Sequence, residues 1–249
     1  MPLHVHRGGA PDGAPVLALH GVTGHGARFR PLVDALGHRR WIAPDLRGHG
    51  HSPWTPPWSL EQHVADAVEV LDREGIERAD VVAHSFGGAI AAHLAGTGRV
   101  RRLVLLDPAL GLDPHDMLDR AEDTRRDEVW TTPDDARAAK AGDWAGVDGA
   151  LVDAEVEAHL EASGDKWRWR YSRASVVAAW SEMARPAVVP GVPMLIIPAT
   201  RADFVSDDWL AACRAELGEE LTVSPMDTGH MVYLERPDEV AALLKEFLG

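Results

Sequence analysis

Apolar residues in this chain gather into short runs that end at a glycine, proline, aspartate or serine. Runs that stay apolar without alternating are typical of parallel strands buried on both faces of a sheet. The segments predicted as strands are PVLALHG (15–21), RRWIAPD (39–45), ADVVAHS (79–85), VRRLVLLDPA (100–109), VPMLIIPA (192–199) and LTVSPM (221–226).

Segments with a helical period separate these runs. In SLEQHVADAVEVLDREG the apolar side chains recur on one helical face, with Ser59 before the segment and Gly75 after it as cap signals. Residues 207–218 and the closing PDEVAALLKEFLG, which starts with Pro237, are also predicted as helices. Strands that alternate with helices predict the α/β class, a mostly parallel, doubly wound sheet covered on both faces.

One segment departs from this alternation. Residues 112–189 carry helical charge patterns and several tryptophans but no β-branched run typical of a strand. We therefore expect a sheet-forming core made of residues 1–111 and 190–249, with residues 112–189 inserted as a helical cap. Insertions at the carboxyl ends of parallel strands lie where ligands bind such sheets, so this cap is a candidate lid.

Composition narrows the classes of partner. The 249 residues include 25 Lys and Arg against 39 Asp and Glu, a formal net charge of −14, which disfavours nucleic acid and anionic membrane surfaces. No apolar stretch is long enough to span a membrane, and the N-terminus lacks a secretory pattern. The single cysteine, Cys213, has no internal disulfide partner. We expect a cytoplasmic enzyme acting on small neutral substrates; the sequence leaves its oligomeric state open.

Ser85, in the segment AHSFGG, is either a nucleophile or the cap of the helix that follows it. Ser85 follows a predicted strand and precedes a run of small residues suited to a helix packed closely on the sheet. A nucleophile on a strained strand-to-helix turn needs that context, because only small neighbours tolerate the crowding. A serine that merely caps the helix also fits this position.

Other loops supply what a nucleophilic serine requires. A serine needs a base to take its proton and a carboxylate to orient that base. His230 lies in a loop after the last predicted strand and can act as the base. Three aspartates, Asp107, Asp203 and Asp207, lie at or near strand ends, so the residues alone do not decide which one orients the histidine. The turn LHGVTGHG can place the backbone N–H of Val22 opposite that of Phe86 as an oxyanion hole.

These motifs together resemble the α/β-hydrolase fold superfamily over nearly the whole chain. The matching pieces are HGVTG, PDLRGHGHS, AHSFGG, LVLLDPA, ADFV and GHMVYLERPDEV, in the family's order. Within the superfamily they are most similar to serine esterases and lipases of actinobacteria, including mycobacteria. The resemblance implies Ser85 as nucleophile, His230 as base, Asp203 as its orienting acid, and Val22 and Phe86 as oxyanion donors. Ala83 departs from the pattern, since glycine usually stands there.

The resulting hypothesis is a cofactor-free serine hydrolase that cleaves carboxylic esters through an acyl-enzyme. The alternatives are the same triad acting on a carbon–carbon, lactone or thioester bond, and a ligand receptor with negligible turnover. No metal site is predicted, because the pairs His4/His6 and His49/His51 and the single His25 have no Cys or acidic cluster at zinc-like spacing beside them.

Overall fold

The apolar runs form a seven-stranded sheet in a computed structural model that describes residues 1–126 and 129–249. Asp127 and Glu128, within the predicted insertion, lie outside the described residues. The strands are, in chain order, β1 (Val5–Gly9), β2 (Pro15–Leu19), β3 (Arg40–Pro44), β4 (Ala79–His84), β5 (Val100–Leu106), β6 (Leu160–Ser163), β7 (Lys166–Trp169), β8 (Met194–Ile197) and β9 (Leu221–Val223).

Helices connect these strands and cover the sheet. They are α1 (Arg30–Ala35), α2 (Leu60–Arg73), α3 (Phe86–Ala95), α4 (Pro114–Thr124), α5 (Pro133–Asp143), α6 (Gly149–His159), α7 (Arg173–Met183), α8 (Asp207–Leu217), α9 (Val232–Glu235) and α10 (Pro237–Leu248), with short 3₁₀ turns at Gly26–Phe29 and Gly218–Glu220. Ser59 caps α2 as predicted, because its side chain accepts from the Gln62 N–H.

The sheet is doubly wound. Its order is β1-β3-β2-β4-β5-β8-β9, and every neighbouring pair is parallel except β1 with β3. Successive residues of β4 face opposite cores: Val81 packs into the cluster that includes α2, α3 and α8, and Val82 into the cluster that includes α1 and α10. Burial on both faces confirms the predicted α/β class and explains why the strands read as unbroken apolar runs.

The segment between β5 and β8 is not helical throughout. It holds α4 to α7, but also the antiparallel hairpin β6–β7, whose Glu161 pairs with Arg168 across the strands. The turn between them contains Gly164 at φ 65°, a conformation that glycine adopts readily. The sequence SGDK carries a hairpin signal, a Gly-Asp pair between the two strands, within a segment whose charge pattern is helical.

Candidate active site

Ser85 lies on a sharp turn between β4 and α3. Its φ of 54° and ψ of −123° fall where a residue with a side chain is strained. Its side chain makes no capping bond to α3, so the structure does not support the helix-cap alternative. The turn needs Gly87, because a Cβ there would lie 2.2 Å from the carbonyl oxygen of Leu19. Ala83, in contrast, is fully buried in β4, so its methyl group is accommodated in the core.

His230 brings an imidazole to this serine. Its Nε2 lies 2.9 Å from the Ser85 Oγ, and its Nδ1 lies 2.6 Å from a carboxylate oxygen of Asp107. An ionised carboxylate only accepts hydrogen bonds, so Nδ1 carries the proton and Nε2 is free to accept from the hydroxyl. This tautomer is the one that a general base requires.

The carboxylate at His230 is therefore Asp107, and the prediction of Asp203 at that place is wrong in this geometry. Asp107 directly follows β5, is fully buried, and has its second oxygen 3.0 Å from the Ala199 backbone N–H, which donates to it. Its φ of 41° turns the chain at the strand end. A carboxylate held between β5 and β8 can face a histidine on a neighbouring loop, as the parallel strands end together.

Asp203 has a different position. It is exposed and lines a cavity of about 720 Å³ that also reaches His230. Asp207 is also exposed and lies in the first turn of α8, where a negative charge is favourable. Neither aspartate has a hydrogen bond or ion pair with His230 among the contacts of the described residues.

The turn after β2 lies against the serine. A Cβ on Gly21 would be 2.7 Å from the Cβ of Ser85, so the backbone here touches the nucleophile position. His20 fixes this turn: its Nε2 accepts from the Leu46 N–H at 2.8 Å, so its Nδ1 carries the proton and donates to the Gly21 carbonyl at 2.7 Å. Burial lowers the pKa of His20 well below its usual value, which preserves this neutral tautomer.

The Gly21 carbonyl and the Val22 N–H belong to one planar peptide and point in opposite directions. With the carbonyl held by His20, the Val22 N–H points away from that ring. Phe86 is the first residue of α3, where a helix leaves its N–H without an intrahelical partner. These two amides are the predicted oxyanion donors, and their backbone flanks Ser85.

His84 supports the other side of His230. Its Nε2 lies 2.9 Å from the His230 carbonyl oxygen, which can only accept, so Nε2 carries the proton. Burial, with a contribution from the neighbouring His230, lowers the pKa of His84 well below its usual value. The ring of Phe204 packs on His230 at a centroid distance of 4.1 Å. The contacts of His20 and His84 with backbone carbonyls agree with what their places in the two turns predict, whereas Phe204, in the motif ADFV, was not among the predicted site residues.

A buried ion pair joins the 3₁₀ turn at Gly26–Phe29 to α6. The Arg28 Nε donates to Glu155 of α6 at 2.9 Å, and the Nε2 of His25 lies at the same distance from that carboxylate. Burial alone would raise the pKa of Glu155, but the charges of Arg28 and His25 outweigh it and hold this pKa well below its usual range. Arg28 also donates to the Thr23 carbonyl at 2.7 Å, one residue after Val22.

Five buried histidines have lowered pKa values, and these make the stability of the folded chain depend on pH. Burial is the largest cause in each case, and it lowers the pKa to about 3 in His49, to about 4 in His63, and well below the usual value in His20, His84 and His159. In the unfolded chain they take up protons near pH 6.5, whereas in the folded chain they stay neutral. We expect the free energy of unfolding to fall as pH drops from 7.5 to 5.5.

The loss should reach about 1.4 kcal/mol per pH unit for each histidine that is protonated only when unfolded. Urea unfolding at pH 7.5, 6.5 and 5.5 measures it, since carboxylates contribute mainly below this window. A free energy of unfolding that stays level across these three conditions would contradict the prediction.

Comparisons with known proteins agree with this architecture. Residues 16–243 match the profile described as "Alpha/beta hydrolase family". The chain is 42% identical to lipase LipV of Mycobacterium tuberculosis, over 99% of this chain and 98% of that protein. It is 31% identical to a 2-hydroxymuconate semialdehyde hydrolase of a Pseudomonas species, over 98% of this chain and 89% of that protein. The crystal structure of E-2-(acetamidomethylene)succinate hydrolase superposes with a TM-score of 0.87 at 22% identity, covering 99% of this chain and 94% of that one.

Proposed function

The chain belongs to the alpha/beta hydrolase family, and from that membership we propose that it hydrolyses small carboxylic esters through Ser85, His230 and Asp107. The observation that carries the proposal is the continuous hydrogen-bonded series from the Ser85 hydroxyl through His230 to the buried Asp107 carboxylate. The similarity to lipase LipV over nearly the whole chain supports an ester hydrolase.

In this mechanism the Ser85 Oγ attacks the ester carbonyl carbon while His230 takes its proton at Nε2. The negative oxygen of the tetrahedral intermediate is stabilised by the backbone N–H groups of Val22 and Phe86. The intermediate collapses as His230 returns the proton to the departing alcohol. Water, deprotonated by His230, then attacks the acyl-enzyme and releases the acid, and Ser85 recovers its proton. Asp107 orients the imidazole and stabilises its charged form.

The cavity at His230 favours short, polar acyl groups over long hydrocarbon chains. Charged side chains outnumber apolar ones in its lining: Asp113, Asp116, Asp119, Asp123, Asp203, Arg120 and Arg201 against Leu112, Met117, Ala202 and Phe204. Hydrocarbon gains about 0.8 kcal/mol per methylene only when it leaves water for an apolar surface, and charged walls do not provide one. We propose an esterase for small esters, with residues 112–189 acting as the lid whose α4 supplies one wall.

A series of p-nitrophenyl esters from acetate to palmitate tests this function. We expect kcat/KM to be largest for acetate or butyrate and to fall by about tenfold or more toward decanoate, as added methylenes meet charged walls. Asp119→Leu should move the optimum to longer chains, whereas the matched variant Asp238→Leu, an exposed position on α10, should leave it unchanged. An optimum at palmitate, or activation by an emulsion surface, would indicate a lipase instead.

A second candidate is the same triad acting on a bond other than an ester. It is favoured by the identity to 2-hydroxymuconate semialdehyde hydrolase, whose named substrate is not an ester. Parallel assays with p-nitrophenyl butyrate and that semialdehyde separate the two. Turnover of the semialdehyde alone would replace the ester proposal, and tight binding without turnover of either would support the receptor alternative.

A further inference from the structure

Two histidines and a carboxylate converge at the edge of the sheet, away from Ser85. His4 and His6 are two residues apart where the chain enters β1, so their side chains lie on the same face. Their ring centroids are 4.7 Å apart. Asp45 comes from the end of the neighbouring β3, whose antiparallel pairing with β1 continues in the bond from the Asp45 N–H to the His4 carbonyl.

The spacing of these groups suits one metal ion. One ligating atom from each of His4, His6 and Asp45 lies within 4.8 Å of the others. The His6 Nε2 is 2.9 Å from the Asp45 Oδ1. Imidazole nitrogen and carboxylate oxygen bind Zn²⁺ at about 2.0–2.2 Å, which places two adjacent ligand atoms about 3 Å apart. An ion can therefore replace the proton shared by His6 and Asp45, and the exposed His4 needs only a small rotation to join.

The carboxylate is also oriented in advance. Asp45 is fully buried, and its Oδ1 accepts from the Gly26 N–H at 2.8 Å while its Oδ2 accepts from the His51 N–H at 2.9 Å. Hydrogen bonds of this kind fix ligand geometry in metal sites. The His51 ring lies beside the site, 5.1 Å from that of His4, while the three ligand atoms themselves come from His4, His6 and Asp45.

We propose that His4, His6 and Asp45 bind a divalent transition metal ion of the Zn²⁺ type. Two imidazoles and one carboxylate select such ions over Mg²⁺, which prefers oxygen ligands. The site joins β1, the end of β3 and, through Gly26, the turn that carries Val22. Its bound ion would add a cross-link between these segments, and the proposal does not depend on the hydrolytic function.

Calorimetry on the untagged, chelator-treated protein with ZnCl₂ at pH 7.5 tests this site. We expect one ion per chain with a Kd in the micromolar range, no binding of MgCl₂, and a Tm that rises with zinc concentration. His4→Ala and His6→Gln should each weaken binding by about tenfold or more, and glutamine keeps a donor for Asp45. His38→Ala, an exposed histidine elsewhere, and His230→Ala should bind as the parent does.

The variants separate this site from other histidines. Parental zinc affinity in both His4→Ala and His6→Gln would overturn the proposal, as would loss of binding confined to His230→Ala or His38→Ala. If His6→Gln does not fold, the exposed His4 decides the outcome alone, because its removal leaves the His6–Asp45 bond intact.

Discussion

Replacing Ser85 with alanine is expected to lower kcat for p-nitrophenyl butyrate by about 10⁶-fold, the loss typical of a removed triad nucleophile. Alanine at φ 54° meets the same backbone strain as serine, so the turn and the fold should persist. Urea unfolding of the variant should accordingly match that of the parent protein. Hydrolysis that remains comes from the oxyanion donors and substrate binding alone.

The matched control is Ser181→Ala, an exposed serine on α7. It should retain parental kcat and KM. If Ser85→Ala keeps a tenth of the activity while remaining folded, another group is the nucleophile and the proposed function fails in its central step.

The second large effect is expected from replacing Asp107, the carboxylate that orients His230. Asp107→Asn should lower kcat by about 10⁴-fold, because an amide facing His230 can donate to Nδ1 and hold the imidazole in the wrong tautomer. The asparagine carbonyl can still accept from the Ala199 N–H, so the site keeps its geometry. Asp203→Asn changes an exposed wall of the cavity and should alter kcat by less than about tenfold.

Measuring both variants against the parent, with unfolding curves to check that each is folded, distinguishes the two aspartates. A large loss confined to Asp203→Asn would restore the acid expected from the sequence motif. Asp207→Asn, in the first turn of α8, serves as the control and should alter stability more than turnover.

Most of the sheet was predictable because its central strands are largely buried on both faces and therefore form mostly apolar runs. β1 was missed for the opposite reason: its sequence VHRGG is partly exposed at an antiparallel edge and carries no apolar run. Its place beside β3 is set by long-range pairing, which also brings Asp45 to His4. The spacing of residues along the sequence therefore gives no sign that Asp45 and His4 lie together.

The site residues that lie within recognisable sequence motifs were predictable. Ser85 and His230 follow directly from their motifs, but the acid depended on three-dimensional burial. Asp203 lies in the loop TRADFVSDD, where charged and polar residues recur, a sign of exposure, whereas Asp107 directly follows β5, the longest strand of the sheet. A triad acid must be shielded from water to orient a histidine, so that criterion would have favoured Asp107 over the motif match.

The Arg28–Glu155 ion pair affects the order in which parts of the chain fold during synthesis. The two residues are 127 positions apart, so during synthesis the guanidinium leaves the ribosome long before its carboxylate is made. Desolvating Arg28 without that partner is unfavourable, since the neutral Thr23 carbonyl does not replace the hydration of a full charge. We therefore expect the turn that carries Val22 to stay open to water in the nascent chain until α6 docks, and the centre to be complete only after His230, which is made later still, has folded against Ser85.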